Sequence, residues 1–379
     1  MSGKNPEKKT LGPLLTLKKG KKPKTQSPVK EKGMQPYVDI KAFETGVIGN
    51  YTDDDKCVPC NDGDLLIVCD GSRSGYVGRA IKGYTGSTLA KISAEGVDNS
   101  YLYYFIQSMY RLLNTQMKGT GTPHLNVEVL RKAELVIPSI SEQKRIVDKI
   151  EELFSELDSA IETLKKTKEQ LAVYRQSVLK DAFDENFETA LFGEIMQSRL
   201  GKMLDAAKNI GKPQKYLRNI NVRWLGFDLV DLQEMKIEDS EREKYSLKNG
   251  DLIMCEGGEP GRCAVWDKGD GMFFQKALHR IRFNGKDNPK FYMYYFLLLA
   301  QSDGLKKYFT GSGIKHLTGQ SLVKIVVPVA PLKKQNEVIK KIESQFSVCE
   351  NIEKTVNDAL IQADAMRQSI LKKAFEGEL

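Results

Sequence analysis

The chain has 379 residues, a net charge of +8, six cysteines and three histidines. That length allows two or three domains with real cores, and so few cysteines exclude a disulfide-stapled secreted scaffold. The longest apolar runs, Leu65–Cys69 and Phe296–Ala300, are too short to cross a bilayer and no secretory signal opens the chain, so a cytoplasmic protein without a membrane partner is expected.

Residues 1–34 hold ten lysines (Lys4, Lys8, Lys9, Lys18, Lys19, Lys21, Lys22, Lys24, Lys30 and Lys32) against Glu7 and Glu31, a local excess equal to that of the whole chain. A basic arm on a neutral body points to a polyanion; a solvated, partly disordered tail is the other reading. Cys57-Val-Pro-Cys60 is the one close cysteine pair, and no second pair or histidine cluster completes a zinc site, so no metal is expected. Gly63 then introduces Asp64-Leu-Leu-Ile-Val-Cys69, a β-branched run that reads as a strand.

The loop Asp70-Gly-Ser-Arg-Ser-Gly-Tyr-Val-Gly-Arg79 follows. Glycine lets backbone N–H groups approach a phosphate, Arg73 suits a guanine edge, and Ser72, Ser74 and Tyr76 offer further donors. A tight hairpin turn is the competing reading. Tyr101-Leu-Tyr-Tyr-Phe-Ile106 leads into a helical stretch, and Lys118 flanks the turn Gly119-Thr-Gly-Thr-Pro-His-Leu125.

A long helix is expected from Ser141, an N-cap after Pro138 with Glu142 at the positive dipole end, and no Gly or Pro interrupts it before Phe183. Ile146, Ile150, Leu153, Leu157, Ala160, Leu164, Thr167, Leu171, Tyr174 and Val178 alternate steps of four and three, a heptad seam. About 43 residues at ~1.5 Å each make a rod of roughly 64 Å.

The remainder repeats this order. Arg175-Gln-Ser-Val-Leu-Lys-Asp-Ala-Phe183 recurs as Arg367-Gln-Ser-Ile-Leu-Lys-Lys-Ala-Phe375, and the Gly119 turn recurs as Gly311-Ser-Gly-Ile-Lys-His-Leu317, both at an offset of 192 (Arg175 to Arg367, Gly119 to Gly311). Arg199, Lys202, Lys208, Lys212, Gln214, Lys215, Arg218 and Arg223 stand where the first half has Lys18 to Lys24. Tyr216 answers Tyr37, Asp251-Leu-Ile-Met-Cys255 answers the first strand, and Phe291-Tyr-Met-Tyr-Tyr-Phe296 answers Tyr101–Ile106. The second glycine loop is Glu256-Gly-Gly-Glu-Pro-Gly-Arg262, where Arg262 suits guanine and Glu259 can accept from cytosine N4. Lys315 sits in the second turn. The second seam is Val338, Ile342, Gln345, Cys349, Ile352, Val356, Ala359, Ala363, Met366 and Ile370.

Neither rod is stable alone in water, and each is the other's economical partner, running antiparallel. Phe154, Ile161, Phe346 and Leu360 widen the apolar stripes, which points to docked helices of another protein or to burial against the chain's own domains. The chain has no phosphate-binding Gly-x-x-x-x-Gly-Lys-Ser/Thr loop and no Pro-Pro dipeptide, so the Asn/Asp-Pro-Pro-aromatic signature of amino-methyltransferases is absent. Glu234-Met-Lys236 lacks the partner acid of a nuclease site, and paired His124 and His316 suit a shared structural hydrogen bond. No catalytic residue is expected. The fold class is α+β: two tandem α/β domains, 1–140 (with the basic arm 1–34) and 187–331, alternate with helices 141–186 and 332–379, which pair as an antiparallel coiled coil in a pseudo-two-fold internal repeat.

The whole chain resembles the DNA specificity subunit of type I restriction-modification systems. Each helix is entered through a Gly-x-Gly-x-x-His-Leu turn, a strand (Val136-Ile-Pro138, Val326-Val-Pro328) and a Gln opening (Gln143-Lys, Gln335-Asn), and each ends in the Arg-Gln-Ser motif; Phe375-Glu-Gly-Glu-Leu379 matches the family's C-terminal ending. The resemblance implies two target recognition domains that each read half of a gapped double-stranded DNA site. It also implies helices that space the domains and bind two modification subunits, which methylate adenine N6. Separate restriction subunits would translocate and cleave. S-adenosylmethionine, ATP and magnesium belong on those partners, and no cofactor on this chain. Two domains on a rod should meet DNA about one turn apart, roughly 10 base pairs, at an asymmetric site. A coiled-coil scaffold that reads no DNA is the alternative.

Overall fold

The computed structural model describes residues 8–119, 121–205 and 207–379. It divides into two compact units, Met1–Leu164 with Asn357–Leu379, and Lys165–Val356.

The first unit is built on an antiparallel sheet ordered Leu15–Lys19, Leu89–Ala94, Leu65–Val68, Val77–Arg79. The Leu65–Val68 strand is buried on both faces, and its period of two divides its side chains between two cores. Leu65 and Ile67 pack with the aromatic helix Asn99–Ser108, whereas Leu66 and Val68 pack with Val38, Ala42 and Cys60. That second core belongs to a sheet ordered Asn50–Thr52, Gln35–Val38, Gly83–Thr85, Pro59–Cys60, whose middle pair is parallel.

The second unit repeats the plan. Met196–Leu200, Leu278–Phe283, Leu252–Cys255 and Cys263–Val265 form the antiparallel sheet, and Lys212–Leu217 runs parallel to Phe273–Phe274 beside it. Leu252 and Met254 face the aromatic-helix core, and Ile253 and Cys255 face the other. The glycine closing each first strand is required by close approach. A Cβ on Gly20 would lie 2.2 Å from the Gly86 carbonyl oxygen, and one on Gly201 2.2 Å from that of Gln275.

The basic N-terminal arm is not an arm over its described part; residues 1–7, with Lys4, lie outside the described residues. Lys8–Thr10 pairs with Glu134–Val136, and Leu11 is fully buried. Lys18 and Lys19 lie on the sheet strand. The following loop is pinned by the Lys24 N–H donating to Asp54 and the Thr52 hydroxyl donating to the Thr25 carbonyl. The apolar residues between the lysines have a core to enter, which the charge count conceals.

The long helices span Ile140–Ala182 and Leu332–Glu376. Ser139, not Ser141, caps the first, its hydroxyl accepting from the Glu142 N–H at 3.3 Å. One turn in, each helix carries a fully buried glutamine. Gln143 accepts from the Asp98 N–H at 2.7 Å and donates to the Gly96 and Pro138 carbonyls. Gln335 accepts from the Asn288 N–H at 2.7 Å and donates to Asp287 and the Ala330 carbonyl. Both fasten a long helix to the N-terminus of the aromatic helix in its own unit.

Within each unit, stretches of the two long helices run in opposite directions. In the first, Arg367 pairs with Asp158 while Arg145 reaches the Leu379 carbonyl. In the second, Arg175 pairs with Glu353, Asp181 with Lys341 and Glu185 with Lys334. The terminal phenylalanine of each helix packs in the unit that its own N-terminus does not enter. Phe375 lies edge-on to Tyr101 and Phe105, and Phe183 contacts Phe291 and Tyr295.

The expected seam holds at one heptad position rather than two. Ile146, Ile150, Leu157, Leu171 and Val178 are buried, with Leu153 and Leu164 half-buried. In the second helix Val338, Ile342, Cys349, Val356 and Ala363 are buried and Ile370 is half-buried, but Ile352 is 40% and Met366 55% exposed. Burial every seven residues, at 342, 349, 356 and 363, admits the small Cys349 and Ala363 and leaves the larger Ile352 and Met366 outside. Phe154 and Phe346 do not widen the stripe for a partner. They are buried edge-on against Tyr104 and Tyr294 of their own units.

Candidate nucleic-acid interface

In each unit three loops converge at the same place. The end of the first strand, the glycine loop and the Gly-x-Gly turn meet there. The turn closes on itself through paired backbone hydrogen bonds, Lys118 with His124 (2.9 and 2.7 Å) and Thr310 with His316 (2.9 and 3.0 Å). Gly119 (φ +98°) and Gly311 (φ +95°) take the left-handed conformation it needs. The next N–H fastens the turn to the glycine loop: Leu125 to the Cys69 carbonyl and Leu317 to the Glu256 carbonyl, both at 2.7 Å. The two leucines are buried. This docking explains why the turn motif recurs in the sequence.

The first cluster is charged. Asp70 accepts from His124 Nδ1 at 2.7 Å and pairs with Lys19 at 2.9 Å. Burial alone would raise the Asp70 carboxyl, but the hydrogen bonds from Lys19 and His124 outweigh it and hold the group below its ordinary value. Lys18, Lys21, Lys22, Lys24 and Lys118 are exposed around this cluster and its adjoining loop. The second cluster has Gly257 where the first has Asp70, and a Cβ there would sit 3.0 Å from His316 Nδ1.

Several expected contact residues are engaged elsewhere. Arg73 pairs with Glu44 at 2.6 Å and stacks over Tyr76, whose ring is packed between Phe43 and Tyr110. Ser74 is buried and its hydroxyl donates to the Gly71 and Cys69 carbonyls, so it braces the loop rather than meeting a phosphate. Ser72 is exposed, its carbonyl accepting from Asn114. In the second unit Lys202 is buried and paired with Glu241, and Arg218 pairs with Asp231 at 2.6 Å. Arg262 and Glu259 pair with each other at 2.7 Å; Arg262 also donates to the Asn219 carbonyl, and Glu259 accepts from Trp224. The guanine and cytosine contacts expected of them would first have to break these bonds. Arg199, Lys212 and Lys315 are exposed and Gln214 is half-buried.

Among the described residues no cluster of His, Cys, Asp and Glu has the makings of a metal site. Burial pushes the Cys57 and Cys60 thiols up, which suits inert core residues. No helix among the described residues is long and apolar enough to cross a membrane.

The family model of the type I restriction modification DNA specificity domain matches residues 3–172 and 185–362, one block for each copy of the repeat. The chain belongs to this family. Its function is therefore DNA-sequence specificity within a type I restriction-modification system. It is 23% identical over 364 residues to the MjaVIII specificity subunit of Methanocaldococcus jannaschii, covering 88% of this chain and 84% of that one. With the EcoKI specificity subunit of Escherichia coli it shares 29% over 306 residues, covering 74% of this chain and 66% of that one. The fold is shared with a chain solved in work on complex assembly and conformational transition of the type I R-M system (TM-score 0.77, 15% identity, 98% of both chains). It is shared also with the HsdS subunit of Thermoanaerobacter tengcongensis (TM-score 0.60, 16% identity, 98% of this chain and 97% of that one).

Proposed function

We propose that each compact unit of this specificity subunit reads one half of a split, asymmetric double-stranded DNA site. The observation that carries this reading is the pair of loop clusters, built on the same backbone bonds and furnished with different side chains. A continuous or palindromic target needs no such difference. Lys18, Lys19, Lys21, Lys22, Lys24, Lys118, Arg199, Lys212 and Lys315 are the cations proposed to meet phosphates.

The finer architecture belongs to the same proposal. The long helices form an antiparallel coiled coil within a pseudo-two-fold repeat, space the two half-sites, and bind two modification subunits. Exposed apolar residues on them, Val173, Tyr174, Val348 and Ile352 in the second unit and Ile361 and Met366 in the first, support that docking. The chain itself is non-catalytic and cytoplasmic. Adenine N6 methylation with S-adenosylmethionine, and restriction with ATP and magnesium, reside in the partner subunits.

Methylome sequencing of cells carrying the system tests this reading. The expected result is a bipartite motif with unlike halves; a continuous palindrome overturns it. Residues inserted between Leu164 and Tyr174 should lengthen the gap and preserve both half-sites. Altered half-site letters would show that the helix is no spacer, and loss of sequence-selective DNA retention would favour a scaffold.

A further inference from the structure

The two loop clusters share the histidine, the leucine and the glycines of the turn but differ in chemistry at several other matched positions. Lys19 of the first corresponds to Leu200 of the second, because Gly20 and Gly201 follow them and donate to the matched Leu89 and Leu278 carbonyls. Asp70 corresponds to Gly257, and Thr122, at the offset of 192, to Ile314. Lys41 corresponds to Ile220, counting from the matched Tyr37 and Tyr216. A charged bracket has become an apolar one. Ile314 is 74% exposed at the tip of its turn, with Ile220 45% and Leu200 38% exposed. Asn219, next to Ile220, donates to the Gly257 carbonyl, and Gly257 abuts His316, so Ile220 and the Ile314 turn both neighbour Gly257. The same turn carries exposed Lys315, and Lys276 is exposed beside the strand end, its N–H donating to the Lys202 carbonyl.

Cations flanking an apolar tip suit a nucleic-acid groove rather than a protein core. Among the base edges of the major groove one group is apolar, the 5-methyl of thymine. An isoleucine pressed on any other edge would strip water from polar atoms and give them no partner. We propose that the second unit reads a thymine of its half-site through the 5-methyl group, with Ile314 as the contact. This rests on the DNA reading above.

The test uses the full chain assembled with its modification subunits, and duplexes carrying the methylome-mapped motif with deoxyuridine in place of thymidine in one half-site at a time. Uracil keeps every hydrogen-bonding atom and lacks only the methyl. Substitution in one half-site should weaken binding about three- to tenfold, and substitution in the other should not. Ile314→Ala should weaken binding to the thymidine duplex similarly and abolish the deoxyuridine penalty. Equal binding of all duplexes, or a penalty that survives Ile314→Ala, overturns the proposal. No selective binding of the mapped thymidine duplex by the unaltered complex would instead sink the DNA reading itself.

Discussion

The two compact units share their backbone bonds, a histidine and a leucine where their loops converge, and differ in most of the exposed side chains there. In the first, Lys19, Asp70 and His124 form a charged chain of contacts. In the second, Leu200, Gly257 and His316 hold the matched places, and the glycine gives the histidine no carboxylate to pair with. Scaffold and loop surface are therefore separable. The scaffold lies in buried polar clamps, glycine crossings and two-faced strands, and the surface can be rewritten without disturbing them.

Replacing the clamps tests the shared part most severely. Gln143→Leu and Gln335→Leu each remove three hydrogen bonds from a fully buried amide and leave backbone groups unsatisfied, at a cost of about 4 kcal/mol in either case. Urea denaturation of the two variants should give equal losses. A large loss in one unit and a trivial one in the other would mean the clamp is not common to both.

A second pair of variants sharpens where the units part. Asp251 is buried and held by Arg282 Nε and Nη2 at 2.6 and 2.8 Å, whereas the Asp64–Lys91 pair is partly exposed. Asp251→Ala should cost about 3 kcal/mol and Asp64→Ala about 1 kcal/mol or less, again by denaturation. Equal costs would show that burial does not set the difference.

The smallest effect is the most local. A carboxyl held below its ordinary value stabilises the fold above that value and loses its contribution as pH falls through its folded value. Asp70, with its ordinary value of 3.8, should therefore hold the first loop cluster together at neutral pH and release it only below about pH 3.8. Half-exposed Lys19 limits the gain to roughly 0.5 kcal/mol. Hydrogen exchange at the Lys118 and His124 amides should follow that titration, Asp70→Asn should remove it, and the Thr310 and His316 amides, beside Gly257, should not show it.

The long helices, the doubled strands and the family were legible in the sequence, because periodicity and repetition survive without tertiary information. What escaped depends on who faces whom. Ser74 and Lys202 have the chemistry of DNA contacts but are buried and bonded within the protein, and Arg262 and exposed Glu259 pair with each other; composition does not distinguish a bonded arginine from a waiting one. Ile352 and Met366 read as seam because they are large and apolar, yet helix pairing selected the narrower Cys349 and Ala363. The buried glutamines had a visible signal, the same residue at the same place in both helix openings, but only the packed structure shows three bonds on each.

The exchange of helix ends has a consequence for synthesis. The second unit is one contiguous stretch, Lys165–Val356, and is complete once that stretch has left the ribosome. The first unit, although made earliest, needs Asn357–Leu379, including the Leu371, Ala374 and Phe375 side chains that pack on its aromatic helix. The N-terminal segment must therefore wait, with part of its apolar surface uncovered, until the last residues of the chain arrive. A chain truncated just before Asn357 and released from the ribosome should carry a protease-resistant second unit and a first unit still open to cleavage.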